Sequence, residues 1–203
     1  MSRHKFALPL LTVLLISAAS AQPKKSVGPP PAPAHAPSPA VNDDFIHRQF
    51  GENCSLLPGP AQFVADLDGD GIEDLAVVAK CKNPMADRDE HNFIVADPYD
   101  NFLGFGDVKV TSTFASDDPE RRGISLLIIH GAEKGGWKSD APKAKFLLIN
   151  LPFKTLTVKR LSVKKRNTLG IFMEEQGEGE DSSSVIFWDG KKYHYQMLGS
   201  SLE

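Results

Sequence analysis

Apolar residues in this chain fall into short runs and two-residue alternations bounded by glycine, proline, aspartate and asparagine. That pattern predicts strands in place of long amphipathic helices. Strands are expected at residues 63–67, 75–80, 92–96, 108–114, 125–130, 146–151, 155–159, 161–165, 169–174, 185–188 and 192–197. The segment 154–166 alternates, breaks at Arg160 and resumes, which reads as two adjoining strands or one bulged strand. Residues 184–195 form the clearest hairpin, because aromatic-rich arms flank Asp189-Gly190, a dipeptide suited to a type I′ turn and so to antiparallel pairing. One helix is expected at 42–50, with Asn42 as its N-cap and Gly51 as its stop. A second short helix around 119–122 fits without altering the β-rich reading.

The pattern changes toward the amino-terminal end. Arg3 and Lys5 precede an apolar run from Ala7 to Ala18, and Ala19-Ser20-Ala21 satisfies the small-x-small rule, so residues 1–21 read as a secretion signal cleaved after Ala21. The apolar run is shorter than the ~20 residues that span a bilayer. No later segment reaches that length, and no cysteine stands near the cleavage point to accept lipid. The expected location is therefore periplasmic or extracellular, with no transmembrane segment. Residues 22–42, including Pro29-Pro30-Pro31, are a proline- and alanine-rich linker that cannot build a core and favours an extended, semi-stiff form. Residues 43–203 then carry enough Phe, Ile, Leu and Val for one domain.

With 23 basic and 26 acidic residues the chain is mildly anionic, which argues against a general nucleic-acid binder. The informative charge is local. From Asp66 to Asp74, five acidic side chains occupy nine consecutive positions of a glycine-containing loop between two apolar, β-rich segments. Asp66, Asp68, Asp70 and Asp74 stand at relative positions 1, 3, 5 and 9, spacing that lets their oxygens converge. Gly71 permits a positive-φ bend, and Ile72 would offer its backbone carbonyl. Calcium, with six to eight oxygen ligands and loose geometry, suits such a loop. An EF-hand is excluded, since position 12 is Val77 where that loop needs a bidentate glutamate. The bland alternative is an Asp-Gly surface turn, but clustered carboxylates with no cation repel one another.

The string D-x-D-G-D-G-x-x-D-L resembles the calcium loop of FG-GAP and VCBS-type repeats of integrin-like β-propellers, here in a single copy. The resemblance implies that Asp66, Asp68, Asp70, Ile72 and Asp74 hold a calcium ion. No second acidic loop repeats at a fixed period, which counts against a multi-blade propeller. The expected fold class is thus mainly β: an antiparallel sheet or sandwich-like single domain, with one propeller-like strand–loop–strand unit and a short N-terminal helix.

The only two cysteines, Cys54 and Cys81, bracket the acidic loop, and in an exported chain a disulfide is the economical reading. The basic residues of 154–166 offer a candidate polyanion surface, set against the plainer reading of a solvated face balancing the acidic run 174–181. No recognised catalytic string occurs. His91 and His130 are the residues that could act as bases, each with a structural alternative. The sequence therefore favours an exported, calcium-stabilised, non-catalytic binding module with an envelope glycan or protein as partner. The other reading is an envelope-polymer hydrolase with a structural calcium ion.

Overall fold

The computed structural model describes residues 41–60, 62–104, 121–163, 166–175 and 182–200. The expected signal segment, the linker up to residue 40, the strand at 108–114 and residues 176–181 of the acidic run lie outside the described residues. In chain order the elements are α1 (Asp43–Phe50), β1 (Cys54–Leu56), β2 (Phe63–Ala65), β3 (Asp74–Cys81), α2 (Arg88–His91), β4 (Ile94–Ala96) and α3 (Pro98–Leu103). There follow β5 (Ile124–His130), β6 (Ala144–Leu148), β7 (Phe153–Val163), β8 (Arg166–Glu175), β9 (Ser182–Trp188) and β10 (Tyr193–Ser200). Among the described residues no helix is long and apolar enough to cross a membrane.

The protein is mainly β, with two sheets packed as a sandwich. The first runs β1-β3-β5-β6-β4 and takes β2 as a sixth strand, while the second is the antiparallel meander β10-β9-β8-β7. β1 and β2 lie along the same edge of β3: Leu56 pairs with Ala79 near one end, and Ala65 pairs with Asp74 at the other. The strands pair antiparallel as expected except at one place, where β4 runs parallel to β6.

Burial explains why the middle strands read as near-continuous apolar runs. In β3, Leu75, Val77, Ala79 and Cys81 join one core cluster with Ile46 and Phe50 of α1, and with Leu127, Ile129 and Leu147. The alternate residues Ala76 and Val78 join Leu126, Ile128, Phe146 and Leu148 against Ile171, Met173, Ile186, Tyr193 and Tyr195 of the second sheet. A sheet covered on both faces has no solvent side to show as alternation. Each fully buried aliphatic chain of this kind contributes roughly 1.5–3 kcal/mol of transfer free energy.

α1 is built as expected. The Asn42 side chain accepts from the Phe45 N–H at 3.0 Å, and the chain leaves the helix at Gly51 with φ 86°. A Cβ at Gly51 would also stand 2.3 Å from an Asp87 carboxylate oxygen, so two requirements meet at that glycine.

Several boundaries differ from the sequence reading. The segment around Arg160 is neither two strands nor bulged there: β7 keeps an unbroken register with β8 from Thr155 to Val163, and the irregularity falls between Phe153 and Thr155. Asp189-Gly190 is not a two-residue type I′ turn. Trp188 pairs with Tyr193 across a four-residue connection, and of its residues only Gly190 has positive φ. Arg121 to Gly123 form a turn, and α2 and α3 are helices the sequence reading did not include.

Candidate metal centre

The acidic loop joins β2 to β3, so its two ends are fixed by an antiparallel pair and its middle must reverse direction. Gly69 and Gly71 make that reversal with φ 81° and 87°, values a side chain would oppose. Asp66 organises the loop. Its Oδ1 accepts from the N–H groups of Gly69 and Asp70 at 2.8 and 3.0 Å, and its Oδ2 accepts from Gly71 at 2.9 Å. Asp68 and Asp70 each give Oδ1 to the backbone, accepting from the N–H of Asp70 at 3.1 Å and of Ile72 at 2.9 Å.

That leaves the Oδ2 atoms of Asp68 and Asp70, and both meet one cation. Lys143 Nζ donates to Asp68 Oδ2 at 2.6 Å and to Asp70 Oδ2 at 2.7 Å. The hydrogen bond with Lys143 holds the Asp70 carboxyl below its usual range. The hydrogen bonds to Asp68 and Asp70 in turn hold Lys143 protonated far above its ordinary value. The lysine side chain is half exposed while that of Asp68 is 2% exposed, so the ammonium plugs the mouth of a partly buried anionic cluster.

Behind this cluster lies a sealed polar chain. His130, at the end of β5, is 1% exposed, with its Nδ1 3.4 Å from Asp68 Oδ2 and its Nε2 2.6 Å from the Tyr193 hydroxyl on β10. Burial pushes the imidazole down to about 4, so at neutral pH the ring is neutral and its 3.4 Å approach to Asp68 is not an ion pair. Trp188 packs edge-on to the same ring at 4.9 Å between centroids.

Asp74 is the fourth predicted carboxylate, and it is fully buried. Its Oδ2 accepts from the N–H groups of Leu67 and Asp68 at 2.7 and 3.1 Å, and its Oδ1 accepts from Gly131 at 2.8 Å. Burial raises its carboxyl to about 6, against the pull of those hydrogen bonds. Asp74 therefore ties both the loop and the end of β5 to β3.

Among the described residues, two groups could hold a metal ion: Asp66, Asp68 and Asp70, and separately Asp68, Asp74 and His130, the ligand atoms within each lying within 4.8 Å of one another. The first group fits a hard cation, because its donors are all carboxylate oxygens with a cationic partner already in place. The second differs in burial: Asp74 and His130 are fully buried, Asp74 serving three backbone donors as Asp66 does, with His130 held between Asp68 and Tyr193. For Ile72, the described contact is its N–H to Asp70.

Lys143 and Tyr193 were not legible as site residues. They lie 75 and 125 positions beyond Asp68 in the chain, and only the pairing of Ala144 with His130 and the packing of β10 bring them in. The other candidate base, His91, sits at the end of α2 with Nδ1 3.2 Å from the Arg48 carbonyl oxygen. In the basic strand, the neighbours Lys159 and Arg160 project to opposite faces of the sheet, and Lys159 lies over the Phe172 ring at 5.7 Å. Cys54 and Cys81 are cross-strand partners joined by a disulfide.

Comparison with known protein families, with characterised proteins and with solved structures finds no match to this chain. The functional reading therefore rests on the geometry above.

Proposed function

We propose that this chain is an exported, non-catalytic binding module of the cell envelope or extracellular space, stabilised by calcium at the loop between β2 and β3. The observation that carries the metal reading is the closeness of Asp66, Asp68 and Asp70, whose ligand atoms lie within 4.8 Å of one another, with Asp68 and Asp70 already gripping an ammonium. Asp66, Asp68 and Asp70 would hold the ion together with the Ile72 carbonyl, and Asp74 would shape the loop from behind. When bound, the ion supplies charge neutralisation and a cross-link within the loop. Lys143 is half exposed and can swing into solvent when a divalent cation takes its place. The export reading is supported by the charged start, apolar run and small-residue cleavage site of residues 1–21.

The test is calorimetric titration of the intact chain with calcium, alongside its thermal unfolding. Extracellular calcium modules bind in the range of about 0.1–1 mM. At millimolar calcium, roughly one to ten times that Kd, such a site raises unfolding stability by roughly 0.4–1.4 kcal/mol. Neither heat nor a thermal shift at millimolar calcium would remove the metal reading, and an intact chain retained in the cytoplasm of its source cell would remove the export reading.

A further inference from the structure

We infer that Asp189-Gly190, in the connection between β9 and β10, is a self-modifying site, where the aspartate closes to a succinimide and reopens as isoaspartate. The chain holds three Asp-Gly steps: Asp68-Gly69, Asp70-Gly71 and Asp189-Gly190. With no Cβ beside it, a glycine nitrogen can approach the carboxyl carbon of the residue before it. In the reaction the Gly190 nitrogen bonds to Asp189 Cγ and the Cγ–Oδ2 bond breaks. The oxygen leaves as water, taking the amide hydrogen and, because a carboxyl is ionised at neutral pH, one further proton. Water then adds to either imide carbonyl, restoring aspartate or giving isoaspartate, whose main chain runs through the β-carbon.

The three steps differ in what holds the attacking nitrogen. In the acidic loop both glycine nitrogens are tied to Asp66: Gly69 donates to its Oδ1 at 2.8 Å and Gly71 to its Oδ2 at 2.9 Å. Attack there must first break a charge-assisted hydrogen bond. Among the described residues no hydrogen bond engages the Gly190 N–H. Gly190 is exposed, with φ 102°, and a Cβ placed on it would meet nothing within 4 Å.

The other groups that the reaction needs surround Asp189. Its Oδ1, which carries the negative charge of the tetrahedral intermediate, accepts from the N–H groups of Lys191 and Lys192 at 2.7 and 2.8 Å, the spacing of an oxyanion hole. Its Oδ2, the leaving oxygen, stands 2.6 Å from His194 Nε2. The imidazolium form of His194 is placed to deliver the further proton, on a ring held by stacking against Phe187 with centroids 5.7 Å apart and planes 22° from parallel. The Asp189 and His194 side chains are 35% and 36% exposed, so water reaches the site. Isoaspartate adds a carbon to the main chain, and the connection that Asp189 closes then loses its fit to Lys191, Lys192 and His194. The inference is independent of calcium, because none of the reacting residues belongs to the acidic cluster.

The experiment ages the intact chain at neutral pH and physiological temperature with a chelator present, once folded and once in concentrated urea. Peptide mapping with fragmentation mass spectrometry then measures isoaspartate at each Asp-Gly step. In the folded chain it should form at Asp189 at least roughly fivefold faster than at Asp68 or Asp70, the effect of the hydrogen bond that restrains each loop nitrogen. In urea the three rates should converge. His194→Gln, a change at the surface, removes the acid and should slow the reaction at Asp189 at least roughly tenfold while leaving Asp68 and Asp70 unchanged. The contrast between folded and unfolded parent chain decides the matter if that variant misfolds. Equal rates at the three steps in the folded chain, the same lead of Asp189 in urea, or a rate indifferent to His194→Gln overturns the inference, and so does a folded chain that accumulates no isoaspartate at Asp189 over months.

Discussion

Removing the Asp74 carboxylate should be among the most damaging single changes in this protein. Its two oxygens are fully buried and accept from three backbone N–H groups, those of Leu67 and Asp68 in the acidic loop and of Gly131 after β5, two segments that meet at the start of β3. Asp74→Ala leaves all three donors without an acceptor. An unsatisfied buried donor costs roughly 1–3 kcal/mol, so the simple sum is several kcal/mol; water entering the vacated space brings the expected loss to about 4 kcal/mol. That is a large part of the 5–15 kcal/mol typical of a domain. Asp74→Asn keeps one acceptor oxygen but turns an NH₂ toward donors, and about 2 kcal/mol should be lost. Urea unfolding at neutral pH, with the disulfide intact, measures both variants against the parent protein. The expected order is parent, asparagine, alanine, with unchanged slopes. An alanine variant within about 1 kcal/mol of the parent would refute the reasoning, because those N–H groups would then have other partners.

Three further outcomes are expected. Lys143→Met removes the ammonium that competes for Asp68 and Asp70, so calcium affinity measured by calorimetry should rise roughly fivefold, the effect of losing a half-exposed ion pair; unchanged or weaker binding contradicts the competition. Replacing Cys54 and Cys81 by alanine opens a link between residues 27 apart, and denaturant unfolding should show a loss of roughly 3–4 kcal/mol; a loss below about 1 kcal/mol would mean that the native pairing alone holds these strands. Burial alone would raise the Asp189 carboxyl, but hydrogen bonds from the Lys192 N–H, the His194 ring and the Lys191 N–H outweigh it and hold the group at about 2 against an ordinary 3.8. A depressed acid stabilises the fold above its unfolded value, and that stability is lost as pH falls through about 2. Asp189→Asn should therefore flatten stability over that acid range, and acid titrations that superimpose would count against the contact.

Local chemistry made part of this protein legible. Asn42 and Gly51 bound α1 as their residue types require, and the glycine at the sixth position of the acidic loop takes the positive φ expected of it. The strands that compose both sheets were visible because their runs are apolar and bounded by turn residues. The short elements were not. β1 has three residues, too few to show a period, and exists because Cys54, Ser55 and Leu56 complete the edge of β3. α3 carried a signal that was passed over: Asp97 caps it, accepting from the Asp100 N–H at 2.9 Å, and Pro98 starts it. The partner of the acidic loop could not be read locally at all. Lys143 reaches Asp68 and Asp70 only because β5 and β6 pair in one register, and no spacing within the loop encodes that pairing.

β3 is fastened at both ends by unlike means, a covalent bond at Cys81 and a buried carboxylate at Asp74. Thermal fraying ordinarily begins at a strand terminus and creeps inward, and this strand offers it no loose terminus. Its amide protons, with those of β5 beside it, should be the last to trade with deuterated solvent, while β4 and β7, each at the margin of its sheet, should trade first. The part of the molecule nearest the proposed ion would then also be its most rigid, so a cation would meet a cradle whose floor needs no further ordering.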